Sequence, residues 1–306
     1  MTASTRPTPA VEVGTWKAQV LRADARHLPI RDESVHLIVT SPPYNAGIRY
    51  DGFDDWSPFE DWWYGLIEPA VRECFRVLAS GGRLCLNLPN VVRTDSKPMR
   101  VSSGASRTTR RAIGERVRKT RSGNTWRVSA GDWPIMLAQH VWPLLEDVGF
   151  LPREQLTWLK ATHEQDITTN STAWGTYQSA QNPVLRATVE PVFIASKGSY
   201  SREPGRSDLT GDEFKAWTRN AWAIPSPRLL EQGGHPAPFP RELPRRLIKL
   251  YSYVGDVVLD PFVGSGTTIR ADRDAGRHGI GLDLSARYCR LAAGRASQSN
   301  LFEAVS

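Results

Sequence analysis

Short apolar runs rich in β-branched residues alternate along the chain with segments whose apolar residues recur every three or four positions. The runs predict β-strands, and the periodic segments predict amphipathic helices. The predicted strands cover residues 17–23, 35–40, 83–88, 155–159, 189–195, 257–259 and 278–282. The predicted helices cover residues 57–80 (capped by Ser57 and stopped by a glycine pair), 134–148, 241–251 and 267–275, and a last helix is capped by Ser285. This alternation predicts an α/β fold whose mostly parallel sheet is covered on both faces.

Two conspicuous motifs directly follow predicted strands. Residues 41–44 follow the strand at 35–40, and residues 260–268 follow the strand at 257–259. Ligands of parallel sheets bind outside the carboxyl ends of the strands. Both motifs should therefore open onto the same edge of the sheet.

The second motif joins a strand to a helix through two glycines, in the sequence Asp-Pro-Phe-Val-Gly-Ser-Gly-Thr-Thr. Glycine permits unusual backbone dihedral angles and lets a ligand approach the bare backbone. Asp283 ends the next strand, where an acid commonly binds a pair of ribose hydroxyls. The segment lacks the full GxGxxG fingerprint and the P-loop lysine, so a nucleoside without phosphates is favoured over a pyrophosphate. A tight strand-to-helix turn with a capping aspartate is the structural alternative.

The first motif reads Ser-Pro-Pro-Tyr. Its prolines fix the backbone and leave carbonyl groups free to accept hydrogen bonds. Ser41 and the Pro42 carbonyl can take the hydrogens of an exocyclic amine, while the ring of Tyr44, rather than its hydroxyl, stacks on the planar group. That geometry suits a nucleobase flipped out of a duplex. An ordinary Pro-Pro turn with a packed tyrosine is the alternative.

Together the two motifs resemble those of the amino-group DNA methyltransferases of the β arrangement. In that family a (D/N/S)PP(Y/F) motif comes first and an FxGxG motif comes last, and here residues 41–44 and 262–266 stand in that order. The similarity extends to residues 81–87, 157–160, 190–197 and 235–240, and it covers most of residues 17–298. It implies the Rossmann-like, S-adenosylmethionine-dependent methyltransferase fold with circularly permuted motifs and a seven-stranded, mostly parallel sheet whose last strand is reversed.

The same resemblance implies S-adenosyl-L-methionine as the cofactor and assigns residues to it. Asp24 contacts the adenine and Asp283 the ribose, with a simple turn residue as the alternative for Asp24. The residues assigned to the methionine side are Asp260, Phe262, Gly264, Gly266 and Thr267, together with His235 and Ala237 in a segment that closes over it. The residues assigned to catalysis are Ser41, Pro42, Pro43 and Tyr44.

Ser41 bears on the choice of base. Adenine-N6 members of the family more often carry Asp at this position, whereas cytosine-N4 members usually carry Ser. The resemblance therefore favours methyl transfer to the exocyclic N4 amine of a flipped cytosine in DNA, with adenine-N6 methylation on the same fold as the nearest rival. The complete motifs argue against a catalytically silent DNA-binding module. The proline pair and the incomplete glycine fingerprint argue against a nucleotide-dependent oxidoreductase.

The net charge of +7 is concentrated in one segment. Residues 92–127 contain eleven lysines and arginines and two acidic residues, which suggests a polyanionic partner. As an insertion after a sheet strand, this basic insertion should emerge on the active-site side and clamp DNA phosphates, with a solvated loop as the alternative. The residues assigned to DNA are Arg107, Arg110, Arg111, Arg116, Arg118, Lys119 and Arg121.

A short region, residues 198–234, stands where the family places target recognition. Three tryptophans are candidates for stacking or wedging in DNA, although use in a buried core fits tryptophan equally well. They are Trp126, Trp217 and Trp222.

The length of 306 residues suits one catalytic domain at 17–298, and we expect a flexible N-terminus (1–16) and a short tail (299–306). The three cysteines form no CxxC pair, so neither a disulfide framework nor a metal site is expected, and a cytoplasmic location fits. No apolar run approaches the roughly 18 residues that span a bilayer. The expected partners are double-stranded DNA and a separately acting cognate restriction endonuclease, with the chain a monomer or a homodimer.

Overall fold

The computed structural model describes residues 11–13, 16–51, 53–93, 134–160, 179–181, 187–226 and 239–297. The strands within these ranges are β1 (Val11–Val13), β2 (Trp16–Arg22), β3 (Val35–Thr40), β4 (Arg49–Tyr50), β5 (Phe53–Asp54), β6 (Leu78–Asn87), β7 (Val91–Arg93), β8 (Pro134–Met136), β9 (Phe150–Leu159), β10 (Val189–Lys197), β11 (Ala221–Ala223), β12 (Val257–Asp260) and β13 (His278–Asp283).

The helices of the described part follow the same chain order. They are α1 (Phe59–Trp62), which continues through a π-helical turn (Trp63–Ile67) into α2 (Glu68–Val77), then α3 (Ala138–Val148), α4 (Gly211–Trp217), α5 (Glu242–Tyr251), α6 (Thr267–Asp274) and α7 (Ala286–Ser297).

One nine-stranded sheet has the order β1-β2-β13-β12-β3-β6-β10-β9-β11. Strands β2, β13, β12, β3 and β6 are parallel, and β10 runs antiparallel to both of its neighbours, β6 and β9. The predicted seven-stranded, mostly parallel sheet is confirmed as the central part. The short strands β1 and β11 extend it at the two edges, and the reversed strand lies inside the sheet.

Helices cover both faces of the sheet. Strand β3 shows why, because its side chains point alternately into two apolar clusters: Ile38 packs with α1, α2 and α3 on one face, while Leu37 and Val39 pack with α4, α5 and α6 on the other. Helix α7 packs against β2 through Cys289 and Ala292. A sheet that is buried on both faces requires the nearly continuous apolar runs that the sequence shows.

The first long helical segment differs from the prediction at both ends. Pro58 precedes it without a side-chain cap, and the backbone N–H of Ser57 instead donates to the side chain of Asn45. The segment ends at Val77, before the glycine pair, and β6 runs through that pair. Gly81, with φ of +73°, lies so close to the backbone of Ser201 that a Cβ would meet its oxygen at 2.6 Å. The pair therefore allows a close approach inside a bulged strand rather than stopping a helix.

Part of the region predicted for target recognition belongs to the sheet and its cover. The sequence pattern predicted no element at residues 198–234, yet α4 and β11 form there and β11 pairs in parallel with β9. Trp217 and Trp222 are 8% and 3% exposed, so these two serve the core rather than DNA stacking. Trp126 lies outside the described residues.

The N-terminal strand also departs from the expectation. β1 pairs with β2, where we expected a flexible N-terminus. Cys74, Cys85 and Cys289 are buried and free, in line with a packing role. No helix in the described part of the chain is long and apolar enough to cross a membrane.

The centre of the sheet contains a topological switch point. From β3 the chain crosses through α1 and α2 to β6 on one side, and from β12 it crosses through α6 to β13 on the other. Because β3 and β12 are neighbours, their carboxyl ends flank the crevice where ligands of open α/β sheets bind.

Candidate active site

A cavity of about 230 Å³ opens at the carboxyl edge of the sheet, at this switch point. Both predicted motifs contribute to its lining, as do residues that follow β2 and β13. The predicted site residues that line it are Ser41, Pro42, Pro43, Tyr44, Asp24, Phe262 and Asp283. The fold thus brings the two motifs together, although 220 positions separate Thr40 from Asp260 along the chain.

The loop after β3 is held by two buried polar side chains. The Asp55 carboxylate, 1% exposed, accepts from the backbone N–H groups of Asn45 (2.7 Å) and Ala46 (3.1 Å). Asn45 has a φ of +56°, and its side chain exchanges hydrogen bonds of 2.8 and 2.9 Å with the backbone of Ser57. These bonds fix the chain immediately after the Ser-Pro-Pro-Tyr motif, which a site that positions a substrate requires.

The two proline carbonyls of the motif differ in their partners. The indole N–H of Trp62 donates to the Pro43 carbonyl at 2.9 Å. No described residue donates a hydrogen bond to the carbonyl of Pro42. Within the described part of the chain, the Pro42 carbonyl can therefore accept from a ligand in the cavity, and its contact with an amine stays a prediction.

The hydroxyl of Tyr44 stands at the centre of a polar network. Ser41 Oγ lies 2.9 Å from it, Asn87 Oδ1 2.8 Å and Glu190 Oε2 3.1 Å. Burial, followed by the negative charge of Glu190, raises the pKa of Tyr44 well above its usual value of 10.0. The phenol is therefore a neutral O–H group throughout the physiological pH range.

Glu190 and Lys160 form an ion pair in the cavity that sequence reasoning did not assign to the site. The ammonium group of Lys160 contacts Glu190 Oε1, and both residues line the cavity. Lys160 follows the end of β9 and Glu190 stands at the start of β10. Only the antiparallel pairing of these strands brings the two residues to one edge. In the sequence, only their position in segments that resemble the family could have pointed to them. Neither residue belongs to a motif with a recognisable chemical role.

Asp260 lies under the glycine turn, outside the cavity lining. Its carboxylate accepts hydrogen bonds from the hydroxyls of Thr40 (2.8 Å) and Thr268 (2.6 Å) and from the backbone N–H of Phe262 (3.1 Å). Burial raises its pKa from 3.8 to about 6, and the two hydroxyl donors oppose that rise. In this position Asp260 ties the end of β3 to the start of α6. It does not cap α6, whose N-cap is Gly266 without a side-chain cap, and its assignment to the methionine side stays a prediction.

The glycine turn presents Asp283 to the cavity. Gly264 and Gly266 have φ values of +50° and +85°, and the Gly264 N–H donates to Asp283 Oδ2 at 3.1 Å. The Ser285 N–H donates to Asp283 Oδ1 at 2.8 Å. Each carboxylate oxygen retains a lone pair for a ligand hydroxyl, because a carboxylate has about four acceptor sites. Burial raises the pKa of Asp283, and the two backbone donors oppose that rise.

Asp24 lines the cavity but its carboxylate is already engaged. Arg26 donates to it through its backbone N–H (2.9 Å) and through its guanidinium group, whose shortest hydrogen bond to Asp24 is 2.6 Å. The hydrogen bond from the Arg26 side chain lowers the pKa of Asp24. Asp24 is thus a turn residue in this structure, and its contact with adenine stays a prediction.

The remaining predicted residues do not line the cavity or lie outside the described part. Gly264 and Gly266 lie in the turn before α6, Thr267 is the first residue of that helix, and none of the three lines the cavity. His235 and Ala237 lie outside the described residues, but the flanking Ser226 and Phe239 both line the cavity. The basic residues outside the described part are Arg107, Arg110, Arg111, Arg116, Arg118, Lys119 and Arg121.

The chemistry of the cavity fits S-adenosyl-L-methionine. Four acidic side chains line it, Asp24, Asp51, Asp283 and Glu190, against one lysine among the described residues. A negative lining of this kind favours a ligand that carries a sulfonium cation. Phe262 adds an aromatic face beside Asp283, and the free acceptor sites of Asp283 suit ribose hydroxyls.

Comparison with known proteins agrees with this geometry. The model of the N6/N4 DNA methylase family matches residues 35–294. The type II methyltransferase M.MjaVI of Methanocaldococcus jannaschii is 30% identical over 210 residues, which are 67% of this chain and 84% of that protein. The DNA adenine methyltransferase YhdJ of Escherichia coli is 25% identical over 290 residues, which are 92% of this chain and 82% of that protein.

A solved structure has the same fold over nearly the whole chain. The candidate DNA modification methylase TTHA0409 of Thermus thermophilus, complexed with S-adenosyl-L-methionine, is 26% identical with a TM-score of 0.62. The match covers 91% of this chain and 92% of that one. The expected fold and cofactor class are thereby confirmed. The chain belongs to the N6/N4 DNA methylase family of S-adenosyl-L-methionine-dependent enzymes.

Proposed function

We propose that the protein is a site-specific DNA methyltransferase that methylates the exocyclic N4 amine of a cytosine flipped out of duplex DNA. The observation that carries this proposal is the position of residues 41–44 on the same cavity as Asp283. One cavity can therefore hold a cofactor at one end and an amine-bearing base at the other. The order of the two motifs along the chain and the family membership support the same reaction class.

The residues of the first motif can activate an amine without a covalent intermediate. The nitrogen lone pair of cytosine N4 is delocalised into the ring, so the amine is a weak nucleophile. Ser41 Oγ and the Pro42 carbonyl accept its two hydrogens and draw the nitrogen towards tetrahedral geometry, which localises the pair. These bonds strengthen as the nitrogen becomes tetrahedral, and such interactions lower the barrier rather than only improving binding. When bound, the cofactor supplies the electrophilic methyl group.

The choice of cytosine rests on Ser41 and on the family resemblance that this serine carries. Relatedness alone does not choose the base, since one relative is named an adenine methyltransferase. Adenine N6 presents the same kind of amine, and the mechanics at Ser41 and Pro42 apply to it without change. Cytosine is the base that a serine in this position favours.

DNA would approach from the edge where the cavity opens. The short strands β7 and β8 pair with each other; β7 includes the first two residues of the basic insertion, and β8 follows the insertion. β7 follows β6 directly. The Asn90 side-chain amide donates to the Val189 carbonyl, and the Asn90 carbonyl accepts from the Leu137 N–H. These bonds keep the base of the β7–β8 hairpin near Glu190. We propose that the basic insertion binds phosphates beside the cavity. A separately acting restriction endonuclease as the cellular counterpart is part of the same proposal, as the type II relatives suggest.

The product of the reaction tests the proposal. Unmethylated plasmid DNA is incubated with the protein and S-adenosyl-L-methionine carrying a labelled methyl group, then digested to nucleosides for mass spectrometry. We expect labelled N4-methylcytosine, and none with the Ser41→Ala, Tyr44→Ala double variant. Labelled N6-methyladenine would overturn the choice of base. No labelled nucleoside from a folded protein that binds both cofactor and DNA would overturn the activity.

A further inference from the structure

The hydrogen-bond partners of the Tyr44 hydroxyl determine where its single proton goes. Asn87 Oδ1 at 2.8 Å and Glu190 Oε2 at 3.1 Å can only accept, so the phenol proton serves one of them. Ser41 Oγ, at 2.9 Å, is the third neighbour. If Tyr44 donated to Ser41 instead, its oxygen would face two acceptors with no proton between them.

The orientation of the Asn87 amide supports this direction. Asn87 Nδ2 donates to the Pro191 carbonyl at 3.0 Å, and this bond fixes Oδ1 on the Tyr44 side. Flipping the amide would place its oxygen against the Pro191 carbonyl, so that two acceptors would face each other there. Glu190, for its part, contacts the Lys160 ammonium through Oε1 and turns Oε2 towards Tyr44. Neither partner therefore offers a proton to Tyr44, and the two compete for its single phenol proton.

It follows that Ser41 is the donor and Tyr44 the acceptor in the hydrogen bond between their hydroxyls. We propose that the Tyr44 hydroxyl is a positioning group: it accepts the hydrogen bond that Ser41 donates, so that only lone pairs of the Ser41 oxygen face the cavity. Asn87 and Glu190 are the final acceptors in this series of hydrogen bonds, and they orient the Tyr44 hydroxyl. This proposal rests on the proposed function, because it concerns how Ser41 accepts from the amine of the target base.

The direction of the hydrogen bond from Ser41 to Tyr44 affects the reactivity of the target amine. A serine hydroxyl that is free to rotate can turn its proton towards the amine nitrogen and bind the lone pair that must attack the methyl group. A proton committed to Tyr44 removes that competing arrangement and presents only lone pairs to the amine. The ring of Tyr44 therefore supplies a stacking face, and its hydroxyl has a separate task that the sequence interpretation did not foresee.

A double-mutant cycle separates this role from a general structural one. We would measure single-turnover transfer of a tritiated methyl group from S-adenosyl-L-methionine to unmethylated plasmid DNA for wild type, Tyr44→Phe, Ser41→Ala and the double variant. Tyr44→Phe keeps the ring and should slow transfer about tenfold, the size expected for one hydrogen bond. In the Ser41→Ala background the same change should cost nothing further, because no serine proton remains to be positioned. The affinities of Tyr44→Phe for DNA and cofactor should equal those of wild type.

Ser41→Asp provides a second background, since a carboxylate accepts from the amine and has no proton to position. Tyr44→Phe should again cost nothing there. Equal rates for Tyr44→Phe and wild type would overturn the proposal, and so would a tenfold loss that persists in either Ser41 background. The identity of the methylated base, read from the same samples, bears on the proposed cytosine specificity alone. If the product is N6-methyladenine and the effects of the Ser41 and Tyr44 substitutions are non-additive, the cytosine specificity is rejected and the positioning role of Tyr44 is retained.

Discussion

Three carboxylates stand at the carboxyl ends of β2, β12 and β13, and each has different partners. Asp24 is bound by Arg26, Asp260 by two threonine hydroxyls, and Asp283 by two backbone N–H groups. Asp24 carries a neighbouring cation, and Asp260 does not line the cavity. Asp283 combines a place in the lining with unused acceptor sites, which makes it the best placed of the three for ribose hydroxyls.

Replacing Asp283 by alanine should weaken S-adenosyl-L-methionine binding by about 1.5–3 kcal/mol, the scale of hydrogen bonds to a charged group. Isothermal titration calorimetry measures this loss directly. Asp51→Ala is the matched control, because it also removes a carboxylate from the cavity lining while leaving the acceptors of Asp283 in place. Equal losses in the two variants would mean that the negative charge of the cavity, rather than a ribose contact, holds the cofactor.

Asp260 should make the stability of the protein depend on pH. Its pKa in the folded state, about 6, lies above the ordinary 3.8, so the folded state binds this proton more tightly than the unfolded state does. The contribution is therefore fully present below about pH 4 and is lost as the pH rises through about 6. Asp260→Asn keeps the shape and does not titrate. Between these limits the free energy of unfolding of wild type should fall relative to Asp260→Asn by up to about 3 kcal/mol.

Urea unfolding of both proteins at several pH values checks the prediction for Asp260. The difference between the two proteins, rather than either curve alone, carries the information, since all other groups titrate in both. Parallel stability curves from about pH 4 to about pH 8 would show that Asp260 titrates alike in the folded and unfolded states.

At the scale of elements, the glycine turn depends on the contact between α6 and α7. Gly266 precedes α6 with a φ of +85°, and a Cβ there would meet the Ala292 Cα of α7 at 2.7 Å. Gly266→Ala should therefore destabilise the fold by about 2 kcal/mol or more, from the left-handed backbone and the overpacking together. Gly294→Ala in α7 is the matched control, because nothing lies within 4 Å of its Cβ and alanine favours a helix. Chemical denaturation should show the two substitutions changing stability in opposite directions.

The sequence was informative where burial decides the structure. β3 was predicted at 35–40 and is observed at Val35–Thr40, because a strand covered on both faces must be apolar throughout. The predicted strands β3 and β12 also placed the two motifs at the carboxyl edge of the sheet, because each motif stands at the end of one of these strands. α4 carries a capping box between Thr210 and Glu213 that could have identified it, but its seven residues are too few for a clear period.

Other features depend on contacts that no local pattern contains. The glycine pair in β6 has the composition of a helix stop, and only its approach to Ser201 shows the reason for it. Lys160 and Glu190 are ordinary charged residues in the sequence, and strand pairing alone makes them an ion pair in the cavity. The roles of His235, Ala237 and the seven basic residues assigned to DNA lie outside what the described residues can show, and they stay predictions.

At the scale of the whole molecule, several flanking segments meet at the carboxyl edge of the sheet. β7 begins the basic insertion there and β8 follows it. Lys160 and Glu190 stand where β9 and β10 meet, and Ser226 and Phe239 both line the cavity. A duplex whose base enters the cavity must pass over this edge. Phosphate contacts are therefore expected from the basic insertion, whose charge dominates the net charge of the chain.

The salt dependence of duplex binding tests this expectation. Each phosphate contact contributes about −0.9 to the slope of log affinity against log salt concentration. Deleting residues 102–122, which contain the seven basic residues assigned to DNA, should reduce the steepness of that slope by several units while cofactor affinity stays unchanged. A full-length variant with the same seven residues changed to glutamine is the matched control, because it keeps the length and removes only the charge. Equal flattening in both proteins assigns the effect to charge, whereas an unchanged slope in the glutamine variant would show that the basic insertion makes no phosphate contacts.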